Sequence, residues 1–211
     1  MKSLCNAILS FCAIGVMLLL SSSQVSAHGY VLSPESRAYQ CYNGYGNGKE
    51  PTNFDCGIRG TSDPQSIEGY KGFPEAGPPD GHIASGNIST YSELDVQTPD
   101  RWTKVDMKTG ENTFVWYLTM SHTSASWRFF ITKADWNQSE ALTRAAFDLE
   151  NSICDPEPIS VSGINPPTKE NIEFKCYIPT DREGYHVILA IWDVADTNNA
   201  FYQVIDVNLS N

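Results

Sequence analysis

The amino-acid sequence predicts an all-β protein, an antiparallel β-sandwich, and three observations carry that prediction. From Phe114 onward apolar residues recur at every second position in short runs, the period of a half-buried strand. Turn-forming Gly, Pro, Asn and Asp separate the runs, as in sandwiches built from regularly spaced strands. No internal repeat, linker or low-complexity block divides the chain, so a single domain is expected. A hydrophobic fraction of 41% with 11% aromatics is too apolar for a disordered chain. The formal net charge of −11 excludes a nucleic-acid or anionic-membrane partner, since both demand a basic face. Charged residues make up only 18%, which suits a neutral, hydrogen-bonding partner.

Taken in order, the first 27 residues read as a secretory signal. Lys2 gives a positive start, residues 7–20 form an apolar run, and Val25 and Ala27 occupy the small-residue positions before a cleavage site. The run is too short for a comfortable membrane span. Cleavage after Ala27 predicts a secreted domain of residues 28–211 whose first residue is His28. Residues 39–92 are dense in Gly, Pro, Asn, Asp and Tyr (CYNGYGNGKEPTNFDC, GFPEAGPPDGH). A loop region of that length in a compact domain is usually functional. Phe114, Trp116, Leu118 and Met120 share one strand face and lead to His122; after SHTSAS, residues 127–133 read as a second strand. Leu142, Ala145, Ala146 and Leu149 have helical spacing, read as a short helix or an irregular strand. Residues 185–192 are continuously apolar apart from His186, as in a strand buried on both faces, and residues 201–209 alternate.

Two of the six Cys, Cys5 and Cys12, belong to the leader. Cys41, Cys56, Cys154 and Cys176 remain in an oxidising compartment, where four Cys allow three pairings. The local pairing Cys41–Cys56 with Cys154–Cys176 is preferred, because each bridge closes a Gly-, Pro- and Asn-rich loop. Each closure stabilises by on the order of 3 kcal/mol in the chain-entropy model. Asn87, Asn137 and Asn208 open N-x-S sequons, which a eukaryotic host could glycosylate.

A histidine at a free N-terminus offers one metal two nitrogens, the α-amine and ring Nδ1, in a six-membered chelate. One more imidazole completes a planar set of three, a donor set that favours Cu(II). The α-amine, with a pKa near 7.7–8.0, loses its proton readily at neutral pH. Spacing leaves three donors open for the third nitrogen. His122 ends a strand at the rim of a sheet, His186 reads as a hydrogen-bonded core residue, and His82 lies in a loop.

HGYVLSPESRAYQC, IEGYKGFPEAGPPDGHIASG, TFVWYLTMSHTSASWRFFITKADW and HVILAIWDVADTNNAFYQVIDVNLS follow one another from residue 28 to the C-terminus. In this order they resemble the chitin-active lytic polysaccharide monooxygenases of auxiliary activity family ten, formerly grouped as chitin-binding proteins. The resemblance implies a fibronectin-III-like or immunoglobulin-like sandwich with a long loop and short-helix insertion near the N-terminus. It implies one copper ion held by His28 and His122 in a histidine brace. Phe201 matches the aromatic that covers an axial position, Glu68 an acid near the metal, and Trp192 a buried aromatic beneath it. Ser62, Asp63, Glu68, Asp196 and Asn199 match a substrate face.

Three departures stand out. Met120 replaces an Ala near the open axial side, where its thioether either narrows access to the metal or simply packs. Ser62 and Asp63 stand where relatives often have an aromatic followed by an acid, so a stacking platform is lost. The loop between Cys41 and Cys56 is longer than in compact bacterial relatives and brings Tyr42 and Tyr45 as replacements, or as plain loop packing.

The activity so implied is oxidative cleavage of the β-1,4 links of crystalline chitin, with cellulose open within the family, by hydroxylation at the anomeric carbon. It requires copper, an external reductant, and oxygen or hydrogen peroxide; a monomer is expected. The principal rival is a non-catalytic chitin-binding protein with an insecticidal or defence role. A glycoside hydrolase needs a carboxylate pair that no motif singles out. A zinc hydrolase lacks its usual carboxylate ligand.

Overall fold

The computed structural model describes residues 27–44, 48–154 and 169–211. Residues 1–26, within the expected leader, and Tyr45 lie outside them.

Eight strands and two short helices are described. β1 (His28–Ser33) is followed by α1 (Arg37–Cys41), α2 (Gly57–Ser62) and a short β2 (Glu68–Tyr70). β3 (Val105–Lys108), β4 (Gly110–Met120), β5 (Ser124–Ile131), β6 (Glu170–Ile178), β7 (Gly184–Val194) and β8 (Asn199–Ser210) complete the chain. One sheet runs β1-β4-β6 and the other β2-β8-β7-β5, all neighbours antiparallel. β3 adds to β8 in parallel. The long insertion holds α1, α2, 3-10 turns at Pro64–Ser66 and Ser89–Asp95, and otherwise irregular chain. The expected immunoglobulin-like sandwich with an N-terminal insertion is what forms.

The period-2 pattern places the core. In β4, Phe114, Trp116 and Leu118 are wholly buried, and Ile172, Phe174, Cys176 and Ile178 of β6 alternate with exposed neighbours. These side chains meet Trp127, Phe129, Trp192 and Phe201 of the facing sheet in one core between the sheets. A second core lies on the other side of the five-stranded sheet. Phe73, Trp102 and Leu94 of the insertion pack there on Val187, Ile191 and Tyr202.

That third layer explains a departure from the sequence pattern. The alternation in residues 201–209 predicts one solvated face, yet Ala200 through Val207 are buried throughout. Even-numbered Tyr202 and Val204 face the insertion, while Phe201 and Ile205 face the first core. The helical spacing at 142–149 yields a 3-10 turn at Arg144–Ala146 and a bridge from Thr132 to Phe147. So short a segment gains too few hydrogen bonds to offset helix nucleation.

Cys41 is bonded to Cys56 and Cys154 to Cys176, the local pairing. Arg37 of α1 pins the insertion to β8. Its Nε and Nη2 donate to Asp206 Oδ2 and Oδ1 at 2.8 and 2.6 Å, its Nη1 to Leu94 O, and its guanidinium lies 4.5 Å over the Trp102 ring. Burial alone would lower the Arg37 pKa, but the Asp206 carboxylate outweighs it and the pKa rises. His186 is buried and contacts Thr132 Oγ1 through Nδ1 at 2.9 Å, as a core histidine should. Burial first, then the Arg182 charge, pull its pKa below the ordinary histidine value.

Candidate functional site

The site forms where β1 begins, β4 ends and β8 begins. His28 is the first residue of β1 and is the Cα partner of Met120 near the end of β4, with a bulge between His28 and Gly29. Bulges of this kind re-aim side chains beside sites. Gly29 is required by close approach: a Cβ there would lie 2.7 Å from Trp116 Nε1 and 2.9 Å from Tyr117 O. The His28 ring lies 6.4 Å from the Phe201 ring, tilted by 48°. Phe201 is wholly buried and stacks on Trp192 at 5.0 Å, and Trp192 stacks on Trp127 at 5.1 Å. Trp192 Nε1 donates to Ser124 Oγ, which fixes the column against the start of β5.

His122 stands two residues beyond Met120 in the link from β4 to β5. The neighbouring Ala195 N–H donates to Thr123 O, drawing that link against the turn between β7 and β8. His122 Nδ1 sits 2.8 Å from Asp196 Oδ1 but off the axis of a ring N–H hydrogen bond, so the contact is close without being a directed bond. On the other flank Glu68 is the Cα partner of Phe201, and Tyr70 that of Asn199. Asn199 Nδ2 donates to Glu68 Oε1 at 3.0 Å.

Of the residues anticipated from sequence, His28, Phe201, Glu68 and Asn199 therefore share one end of the sandwich, joined there by the His122–Asp196 pair. Ser62 and Asp63 are engaged locally instead. Ser62 Oγ donates to Ile58 O, and Asp63 accepts from Arg59 at 2.6 Å and Ser66 at 2.8 Å. His82 faces Asp95 at 3.2 Å. Met120 is half-buried, in contrast to the wholly buried Phe114, Trp116 and Leu118 on its strand face. Tyr42 packs into loop aromatics, its ring stacked 6.4 Å from Tyr39, which in turn stacks on Tyr30. The three sequon asparagines are exposed, although Asn208 Nδ2 donates to Asp106.

The donor set fits a nitrogen-seeking metal ion. Among the described residues no group of three His, Cys, Asp or Glu side chains is placed to hold a metal. A metal here would need the His28 amine as its third donor, beside two imidazoles. A carboxylate beside one ring nitrogen is the usual support of a ligating histidine, since a proton on Nδ1 leaves the Nε2 lone pair for the metal. The aromatic column behind His28 excludes water from that side.

Two of the hollows among the described residues flank β8. One of about 280 Å³ is bordered by Glu68, Tyr70, Gly86, Asn87 and Asn199, beside the site. The other, about 630 Å³, is bordered by Phe54, Asp100, Arg101 and Asn208, toward the far end of β8. The larger one has no part in the histidine cluster.

Residues 28–207 match the family described as "Lytic polysaccharide mono-oxygenase, cellulose-degrading". GlcNAc-binding protein A of Shewanella oneidensis is 46% identical over 192 residues, covering 91% of this chain and 38% of that protein. Its namesake in Photobacterium profundum is 48% identical over 198 residues, covering 91% and 38%. The chain thus spans 38% of the length of these curated relatives. Among solved structures, an AA10 lytic polysaccharide monooxygenase from Photorhabdus luminescens is 42% identical with a TM-score of 0.74, over 87% of this chain and 99% of that one. A Bacillus amyloliquefaciens CBM33 in complex with Cu(I) is 42% identical with a TM-score of 0.71, over 87% and 100%. The chain belongs to the AA10 lytic polysaccharide monooxygenases.

Proposed function

We propose that residues 28–211, secreted once a leader of residues 1–27 is removed, form a single copper-dependent domain that oxidatively cleaves β-1,4 links in crystalline chitin. The observation that carries this reading is the register of β1 on β4, which sets His28 opposite Met120, two residues before His122. The His28 amine and Nδ1 and the His122 Nε2 would hold the ion. Copper, when bound, supplies one-electron redox chemistry through which oxygen or hydrogen peroxide hydroxylates the anomeric carbon, with electrons from an external reductant.

The chain's own residues do the rest. Phe201 keeps one side of the site apolar and dry. Asp196, close beside His122 Nδ1, would favour the tautomer with its proton there once the contact is aligned. Glu68, with one oxygen occupied by Asn199, presents the other to orient a proton or a water at the reacting oxygen. Ser62 and Asp63 would touch substrate only at the periphery. Cleaved protein given β-chitin, ascorbate and copper should release chitooligosaccharides ending in aldonic acids, detected by mass spectrometry. Tight chitin binding with no oxidised product would favour the rival reading, a non-catalytic binder. The relatives named GlcNAc-binding protein A carry a name for binding alone, which both readings share.

A further inference from the structure

We infer that Tyr70 is the sugar-stacking platform of this chain's substrate face, in place of the aromatic missing at Ser62; the inference rests on the polysaccharide reading above. Four observations lead there. Tyr70 is 73% exposed, among the most exposed large side chains described. β2 alternates, so Tyr70 and Glu68 project from the same face, with Gly69 turned the other way. Gly69 cannot carry a side chain, since a Cβ would lie 2.5 Å from Gly86 O. Tyr70 is also the Cα partner of Asn199, whose amide holds Glu68.

The backbone beneath the ring is fixed at several points. Tyr202 Oη donates to Tyr70 O at 2.6 Å, and the Lys71 N–H donates to Asn198 O at 3.0 Å. Lys71 Nζ donates to Val194 O and Thr197 O, binding the end of β2 to the turn that carries Asp196. No side-chain hydrogen bond, ion pair or ring contact among the described residues engages the Tyr70 ring. An aromatic held on so rigid a backbone presents a large contact area at little conformational cost.

A pyranose ring has axial C–H groups that form an apolar face, matched by the face of a tyrosine, and equatorial hydroxyls at its rim, matched by polar groups beside it. The hollow between Tyr70, Asn87 and Asn199 supplies such groups. Tyr70 would thus take the apolar face of a sugar one position away from the one presented to Glu68. The ligand class is a β-1,4-linked pyranose chain. The alternative platforms are engaged elsewhere: Tyr42 packs on Tyr39, and the exposed Tyr177 lies on β6 in the other sheet.

The test is a binding isotherm on β-chitin particles, repeated on microcrystalline cellulose, with mature copper-loaded protein and no reductant. Tyr70→Ala should weaken binding about fivefold to tenfold, the loss typical of an interface aromatic. Tyr70→Phe and Tyr70→Trp should stay within twofold of the parent, as should the control Tyr177→Ala. Melting temperatures should agree across the set, because both tyrosines are exposed. Equal binding by Tyr70→Ala and parent overturns the inference and leaves the polysaccharide reading intact. A Phe variant as weak as the Ala variant also overturns it, because the hydroxyl and not the ring would then matter. A parent that binds neither polysaccharide overturns both.

Discussion

Arg37–Asp206 and His122–Asp196 are both cation-capable groups facing a carboxylate on or just before β8, and they are built to opposite ends. Arg37 and Asp206 have fully buried side chains, and the pair is closed by Leu94 O, Gln97, Tyr185 and the Trp102 ring. In the second pair the imidazole is 10% exposed, the carboxylate 60%, and the contact is misaligned. A buried charge must be matched on all sides or it destabilises the fold. A site that receives a ligand keeps capacity open, and the incomplete pairing of His122 with Asp196 fits the proposed site. The closed pair joins layers; the open one leaves a nitrogen to offer.

Substitutions should separate the two by what they change. His28→Ala removes a ring donor outright, so oxidised products should fall to background and copper affinity by more than the 10–100-fold typical of a supporting residue. Calorimetric titration should show this while the metal-free melting temperature barely moves. Asp206→Ala strands the Arg37 charge and should cost about 3–5 kcal/mol, or roughly 10 °C in melting temperature, with copper affinity of the folded fraction unchanged. Asp196→Ala should reverse that pattern, losing about tenfold in copper affinity at constant stability. A comparable loss of melting temperature in that variant would make Asp196 a structural residue.

The smallest effect is in pH. His186 has a depressed folded pKa, so below about pH 6.5 the unfolded imidazole takes up a proton that the folded one refuses. Its contribution is therefore intact above pH 6.5 and is lost as pH falls toward the lower folded value. Thermal melts between pH 7 and 5 should show a shallower decline for His186→Gln than for the parent.

Much of the sandwich was legible because its strands carry period-2 signals. Phe114, Trp116 and Leu118, and the continuous apolar run of β7, point to buried strands before any coordinate. The same signal marks Ile172, Phe174, Cys176 and Ile178 of β6, which the sequence reading passed over because the Cys was read as a disulfide alone. Burial of both faces of β8 was not legible in its alternation, because its second face is covered by residues 73–102, distant in sequence. At the candidate site, His28 and His122 were singled out by nitrogen chemistry and resemblance. The exposure of Tyr70 was not legible in EGYKG, although the two-residue step of a strand places it on the same face as Glu68. The bonds of Asp63 to Arg59 and Ser66 were not legible, since they come from local helix geometry that no motif encodes.

β8 runs from Phe201 at the site to Ser210, nine positions on and about 30 Å away at the usual rise of a strand. Its two ends lie far apart, and only the first of them borders His28. A resin, label or neighbouring module coupled beyond Ser210 would hang clear of the candidate site, whereas anything joined ahead of His28 would consume the amine that the proposed copper site requires.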